Sequence, residues 1–154
     1  MLFIIVMICS TLHAQDLMEL HGYLEQLKAS ADPAKVSDAV HLESLISDFQ
    51  PTIYVGKSIV AHNEKRPVCA EAKSGSIDGL TAENPLFSQV ELITIRLQSA
   101  SEMNFVLDLS KLISFTNLKY VCFLCEFNCG IEDVQKLFIP KTGITVTYRL
   151  SIPS

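Results

Sequence analysis

Several features that define common protein classes are missing from this chain of 154 residues. Basic residues are not in excess, with 12 Lys and Arg against 17 Asp and Glu, so the chain lacks the surface that non-specific nucleic-acid binding requires. After Gln15 no apolar run approaches the roughly eighteen residues of a membrane span. No phosphate-binding glycine loop, dinucleotide fingerprint, calcium loop or H-E-x-x-H zinc motif is present. We therefore expect no nucleic-acid partner, no membrane span in the mature chain, no metal and no cofactor.

The overall composition is that of a globular protein. Apolar residues make up 49% of the chain and charged residues 19%, which excludes intrinsic disorder and collagen-like repeats. A chain of about this size buries roughly 70% of the surface that it exposes when unfolded. We therefore predict a single α/β domain over residues 15–154, which needs no metal or disulfide to hold its core.

The first fourteen residues have the outline of a secretory signal peptide. Met1–Leu12 is apolar and too short to span a bilayer, Ala14 supplies a small residue at the cleavage position, and the first charge is Asp16. No Lys or Arg precedes Leu2, which departs from the usual pattern, and the alternative is a buried N-terminal strand. A signal peptide over 1–14 predicts export, either to the periplasm or out of the cell.

Four cysteines remain once Cys9 is assigned to the signal peptide. They are Cys69, Cys122, Cys125 and Cys129. An even number of cysteines in an exported chain favours disulfides, and we expect Cys125 to pair with Cys129 across a turn and Cys69 with Cys122; free buried thiols are the alternative. Zinc is disfavoured because strand alternation sends Cys122 and Cys125 to opposite faces.

The front of the chain, residues 15–50, is predicted to be helical. Four leucines at spacings of three and four mark a first amphipathic helix: Leu17, Leu20, Leu24 and Leu27. Asp32-Pro33 then begins a second helix that runs towards Phe49. The residues predicted on or near its buried side are Val36, Val40, Leu45, Ile46 and Phe49.

Residues 51–85 are predicted to be a strand and loop excursion. Thr52–Val55 and Ser58–Ala61 flank Gly56-Lys57 and predict a short hairpin or one bulged strand. Residues 63–85 show few periodic apolar positions. We interpret them as a long surface segment.

Residues 86–150 contain an internal repeat of 25 to 26 residues. The apolar residues recur in three groups: Leu92, Ile95 and Leu97; then Leu118, Val121 and Phe123 after 26 residues; then Val146 and Tyr148 after another 25. Each unit is interpreted as a short helical turn followed by a strand. Because units of this kind stack their strands in parallel, we predict adjacent parallel strands over 92–97, 118–124 and 144–150.

The segment Leu118–Phe123 resembles the L-x-x-L-x-L strand of a leucine-rich repeat. In that family the spaced apolar residues point into the core, and the intervening residues line a concave binding surface. The resemblance covers residues 86–150 and implies helix–strand repeats with a parallel sheet, which would follow the predicted N-terminal helices. It departs from the family at Glu126 and Ala100, where an Asn or Cys is expected, and at Gly143, where a Leu is expected. The alternative is a compact α/β sandwich.

The predicted export and the short repeat are also similar to small secreted proteins of unknown function from bacteria of the Bacteroidetes group. That resemblance implies no activity. The function therefore has to be inferred from the residues themselves.

The preferred function is a non-catalytic protein-interaction module that uses the exposed side of the parallel strands. The residues expected on that side are Thr94, Arg96, Lys119, Tyr120, Thr145, Thr147 and Arg149. Tyr and Arg are enriched at binding hot spots, and this set contains no Asp or Glu. We expect Tyr120→Ala with Arg96→Ala to leave stability nearly unchanged while weakening the capture of a protein partner.

The alternative function is a small secreted hydrolase or thiol enzyme that uses the Cys122–Cys129 cluster. A helix predicted to begin near Gly130 would lower the pKa of a neighbouring thiol. The serine in Gly75–Gly79 stands one position too early for a G-x-S-x-G nucleophile elbow. We assign no catalytic residue.

Overall fold

The computed structural model describes residues 17–56, 59–62 and 66–152. Nine strands are found in this part of the chain: β1 (Met18–Glu19), β2 (Thr52–Val55), β3 (Ile59–His62), β4 (Cys69–Lys73), β5 (Leu92–Leu97), β6 (Leu107–Asp108), β7 (Tyr120–Cys125), β8 (Phe138–Ile139) and β9 (Thr145–Leu150). The signal peptide predicted for residues 1–14 lies outside the described residues.

Seven of these strands form one mixed sheet in the order β1-β9-β7-β5-β4-β2-β3, and β6 and β8 form a separate parallel pair. Neighbours in the large sheet are parallel except for β2 and β3, which form the predicted antiparallel hairpin. The prediction of an α/β fold with adjacent parallel strands β5, β7 and β9 is confirmed.

The sequence repeat gives one of the two strand registers correctly. Val121 lies beside Val146 and Phe123 beside Tyr148, as the 25-residue step predicts. The 26-residue step is wrong by two residues, because Phe123 and not Val121 lies beside Ile95. Side chains alternate with a period of two, so this error leaves every residue on its predicted side of the sheet.

Three α-helices accompany the strands in the described residues: α1 (Leu20–Lys28), α2 (Pro33–Ser47) and α3 (Ile131–Gln135). The predicted start of α2 is confirmed, because the Asp32 carboxylate accepts a hydrogen bond from the Ala34 amide at 2.9 Å. None of the helices is long and apolar enough to cross a membrane.

The buried side of α2 differs from the predicted one. Ala39, Leu42 and Leu45 are buried, whereas Val40 is 59% and Phe49 is 92% exposed. Ala39 is completely buried, and its small side chain lets the helix backbone come close to the layer beneath. The prediction is confirmed for Leu45 and wrong for Val40 and Phe49, because the helix turns Ala39 and Leu42 towards the sheet instead.

The two faces of the sheet are covered by different layers. One face packs against the segments that connect the parallel strands, including the 3-10 helices at 74–81, 85–89 and 109–111. Ile77, Phe87, Leu109 and Val134 from these connections all join the core on that face. On the other face, α1 and α2 pack over Cys69, Leu92 and Tyr120. Those three residues stand at the amino ends of their strands, so the helices cover that half of the face.

The interpretation of residues 63–85 as a surface segment was wrong. Cys69–Lys73 is β4, a strand in the interior of the sheet between β2 and β5. Ala70 and Ala72 are each 1% exposed and belong to the core. Alanine has low strand propensity, which concealed the alternation of small and polar residues in this segment.

Candidate functional site

The half of the strand face that the helices leave uncovered is a cleft of about 240 Å³. Its floor is formed by the middle and carboxyl-terminal residues of the strands, including Glu71, Thr94 and Arg96, with Leu124 and Arg149 further across the sheet. The carboxyl end of α2, from Leu45 to Asp48, forms a wall. We call this depression the strand-end cleft.

Arg96 is held in place within the cleft by two carboxylates. Its Nε donates a hydrogen bond to Glu71 at 3.1 Å and its Nη1 donates one to Glu126 at 2.5 Å. The hydrogen bond to Glu126, supported by Glu71, raises the pKa of Arg96 despite the opposing effect of burial. One cation faces two anions here, so this part of the cleft carries a net negative charge.

Arg149 lies on β9 and lines the same cleft. Among the described residues, no carboxylate lies within ion-pair distance of its guanidinium. Leu124 separates it from Arg96 in the strand register. Arg149 is therefore a cation that can meet an anionic group brought by a ligand.

The structure divides the seven predicted binding residues among three places. Thr94, Arg96 and Arg149 line the strand-end cleft. Lys119 and Thr145 lie at the amino ends of their strands, where Lys119 donates to Glu91 at 2.9 Å and the Thr145 amide donates to the Lys119 carbonyl. Tyr120 and Thr147 lie in the interior, where they are 6% and 2% exposed.

The expectation that Tyr120 and Thr147 are exposed was therefore wrong. Tyr120 packs with Leu20, Leu24 and Leu42 in the core beneath α1 and α2. Burial raises its pKa to about 12, with the negative charge of Asp38 adding to the effect. Thr147 is paired with Met18 of β1 and with Cys122 of β7 in the interior of the sheet.

One of the two predicted disulfides is present. Cys125 and Cys129 are bonded, with their Cα atoms 6.7 Å apart. Cys69 and Cys122 are free and buried, which overturns the predicted bridge between them. They lie on β4 and β7, on either side of β5, so two strand spacings of about 4.8 Å each place them beyond the roughly 7 Å that a disulfide allows.

The free thiols have the character of core residues. Burial raises the pKa of Cys69 to about 11, with the charge of Glu91 adding to the effect. Burial also raises the pKa of Cys122 to about 11, although the Thr147 hydrogen bond and the charge of Arg149 oppose it. Because the thiolate is the nucleophile, neither cysteine offers support for the thiol-enzyme alternative.

The sequence reasoning missed the acidic residues of the cleft, and the prediction of a face without Asp or Glu was wrong. Glu71 stands between Ala70 and Ala72, where a period-two pattern of small and polar residues was a signal for a strand. Asp48 enters the cleft only because of the way α2 ends on the sheet, and no local pattern carries that information.

The chain has no significant match among family models, curated proteins or solved structures. Its class is therefore given by its own architecture. It is a mixed α/β protein with a mostly parallel sheet, and a pair of N-terminal helices leaves a charged cleft open on one face of that sheet.

Proposed function

We propose that this protein is a non-catalytic binding module that holds part of another protein in the strand-end cleft. The observation that carries the proposal is Arg149, a partly exposed cation in a concave site and without an ion-pair partner among the described residues. Concave sites with a few convergent polar groups are the usual form of binding sites. The crevice near the carboxyl ends of parallel strands is also the usual ligand position in open α/β sheets.

We also propose that residues 86–150 wind in the manner of leucine-rich repeats. The support is that β5, β7 and β9 lie side by side in chain order, and that buried residues of their connections join one core. In such a solenoid the opposite face of the strands is the binding surface, as it is in this proposal.

Export from the cytoplasm is part of the same proposal. The Cys125–Cys129 disulfide supports it, because disulfides persist mainly in oxidising compartments. Expression with the natural N-terminus and mass spectrometry of the secreted product tests it, and we expect the mature chain to begin at Gln15.

Chemical-shift mapping tests the binding site directly. The probes are blocked amino acids, each an N-acetyl amide, added to isotopically labelled protein. We expect shifts confined to amides around the cleft, from Thr94–Leu97, Leu124–Cys125 and Arg149–Leu150. Thr94→Trp fills the cleft and should abolish these shifts, whereas Thr142→Trp, at an exposed turn, should retain them. Shifts that map elsewhere, or that persist in Thr94→Trp, would contradict the proposal.

A further inference from the structure

The strand-end cleft continues into a second depression and forms a groove that crosses the strands. The second depression has a volume of about 260 Å³ and is lined by Glu19, Leu20 and Leu150 among others. Ile46 and Arg149 line both depressions, so the two meet at the carboxyl end of α2. The combined groove reaches from β2 to β1, at right angles to the strands.

The two parts of this groove differ in the charged groups that are left without an ion-pair partner. On the β4 side, Arg96 is the one cation that pairs with Glu71 and Glu126 among the described residues, and Asp48 adds a further carboxylate whose hydrogen bond comes from the neutral Ser44 hydroxyl.

On the β9 side, Glu19 and Glu43 also line the groove, but Glu19 accepts a hydrogen bond from the Gly22 amide and Glu43 is paired with Lys28. Arg149 has no carboxylate within ion-pair distance in the described residues. A ligand that complements the groove therefore needs a cationic group at one end and an anionic group at the other.

The floor between these charges is less polar. Leu124 lies beside Arg96 on β5 and Arg149 on β9, and it is 3% exposed. Thr94 lies beside Glu71 in the strand register. A ligand that spans the groove would therefore pass over Thr94 and Leu124, beside the ion-paired Arg96, between its two charged groups.

The spacing of the two ends is close enough for long side chains of an extended peptide to reach both. Glu71 and Arg149 are separated by β5 and β7, which makes three strand spacings, or about 14 Å across the sheet. Glu71 aligns with Thr147, so Arg149 also lies two residues further along the strands, and the two positions are about 16 Å apart. In an extended chain, side chains at i and i+4 point to the same side and stand about 13–14 Å apart. Side chains at i and i+3 point to opposite sides.

We propose that the groove binds an extended segment of a partner protein that crosses the strands with a basic and an acidic side chain about four residues apart. The basic side chain meets Glu71 and Asp48, and the acidic one meets Arg149. This inference rests on the proposed function and adds the chemistry and the spacing of the ligand. Charge complementarity of this kind selects the partner and fixes the register of its segment.

Titration of defined peptides tests the inference. The probe is a blocked pentapeptide with Lys first and Glu last on a Ser-Val-Ser spacer, and its dissociation constant is measured by chemical-shift titration. We expect replacement of the Lys or the Glu by Gln to weaken binding by about tenfold, as a lost charge-assisted hydrogen bond does. Moving the Glu one position closer to the Lys should weaken binding by a similar factor.

A charge swap shows whether Arg149 makes the contact. Arg149→Glu should weaken binding of the Lys-to-Glu peptide about tenfold, and it should tighten binding of a further peptide in which the final Glu is replaced by Lys. Lys141→Glu changes the net charge equally at an exposed position outside the groove lining, and it should leave both affinities within about twofold. Should Arg149→Glu fail to fold, Arg149→Gln and the peptide series provide the same test.

The outcomes separate this inference from the function on which it rests. If neutral peptides or free dicarboxylates bind in the cleft as tightly as the Lys-to-Glu peptide, the inference is overturned and the binding function stands. If neither the blocked amino acids nor any peptide shifts the cleft amides, both are overturned. If both charge-deleted peptides lose affinity, and if Arg149→Glu restores affinity for the peptide that ends in Lys, the extended segment with a charge at each end is established.

Discussion

Two adjacent residues at the start of β7 have opposite surroundings. Tyr120 is 6% exposed and packs beneath α1 and α2, whereas Lys119 is exposed and reaches Glu91 at the surface. The Tyr120 side chain therefore stabilises the fold through burial. The smaller contribution of Lys119 comes from a solvent-screened ion pair.

Replacement of Tyr120 by Ala should destabilise the protein. We expect the free energy of unfolding to fall by about 3 kcal/mol, because truncating a large buried aromatic leaves a cavity. Urea unfolding monitored by circular dichroism measures the change. Lys119→Ala is the matched control and should cost less than about 1 kcal/mol. An equally small loss for Tyr120→Ala would show that this side chain is not part of the core.

Strand alternation predicts the side of the sheet on which a residue lies, and no more than that. Tyr120, Thr147 and Arg149 all lie on the predicted side. Only Arg149 lines the cleft, because α1 and α2 cover the amino half of that side and β1 adds to the edge of the sheet. The position of these covering elements depends on long-range packing, which period-two patterns do not contain.

The docking of α2 on the sheet includes a polar contact at its edge. His41 of α2 lies 2.8 Å from the Glu91 carboxylate, which also accepts a hydrogen bond from Lys119 at 2.9 Å. Burial raises the pKa of Glu91, but the hydrogen bonds from Lys119 and His41 outweigh burial and lower it below its ordinary value. The ionised carboxylate therefore helps to tie the helix to the strand ends.

The stabilisation by Glu91 should depend on pH. A carboxyl whose pKa is lowered in the folded state stabilises the fold above its unfolded pKa of about 4.3, and that contribution is lost as the pH falls through the folded pKa. At pH 7 we expect Glu91→Gln to lower the free energy of unfolding by less than about 1 kcal/mol, because solvent screens the contact. Urea titrations from pH 7 to strongly acidic pH should show this difference disappearing. A deficit that is constant with pH would assign the effect to packing instead of charge.

The contact between β2 and the 3-10 helix at 74–81 tolerates no side chain at Gly79. A Cβ atom there would lie 2.7 Å from Val55 Cγ1, whereas a Cβ at Gly75 in the same segment would meet nothing within 4 Å. We expect Gly79→Ala to cost about 1–3 kcal/mol through overpacking. Gly75→Ala is the matched control, and its melting temperature should stay close to that of the wild type.

A double-mutant cycle identifies the cause of the Gly79 effect. Val55→Ala removes the methyl group that the new Cβ would strike, so the two substitutions together should cost less than the sum of their separate effects. Calorimetry of the four proteins measures the coupling. Strict additivity would show that Gly79 matters for a reason other than its contact with Val55.

Element prediction succeeded where the sequence carries strong periodicity or a specific cap. The 25-residue step between β7 and β9 gave the correct register, and Asp32-Pro33 gave the start of α2. It failed for β4, whose alanines have low strand propensity, and for the buried side of α2, where Ala39 packs more closely than Val40 does. In both cases small residues form contacts that hydrophobicity alone undervalues.

At the scale of the whole molecule, the sheet separates two cores with different origins in the sequence. Residues 66–152 supply most of the core on one face, through strands and the connections that follow them. Helices α1 and α2 supply much of the core on the other face. The repeat predicted the parallel strands, but the cleft exists only because a helical pair too small to cover the whole face packs on half of it. Such a site arises from assembly of the elements and is absent from any single motif.

The disulfide lies within the core on one face of the sheet, at the carboxyl end of β7. Cys125 is completely buried at the end of this interior strand, and Cys129 immediately precedes Gly130, the N-cap of α3. The bond therefore ties the centre of the sheet to the start of the next connection. Its short loop limits the chain entropy that it removes from the unfolded state.

The disulfide should make the stability of the whole protein depend on the redox compartment. With a sequence separation of 4 between its cysteines, the loop-entropy relation gives a stabilisation of about 2 kcal/mol. We expect a phosphine reductant to lower the free energy of unfolding by about this amount, and Cys129→Ser to do the same and remove the response to reductant. Cys69→Ala lacks only a free thiol, so it should retain the full response. If mass spectrometry shows complete reduction of the disulfide while the free energy of unfolding is unchanged, the bond does not stabilise the fold. The stability of the protein would then not depend on the redox compartment.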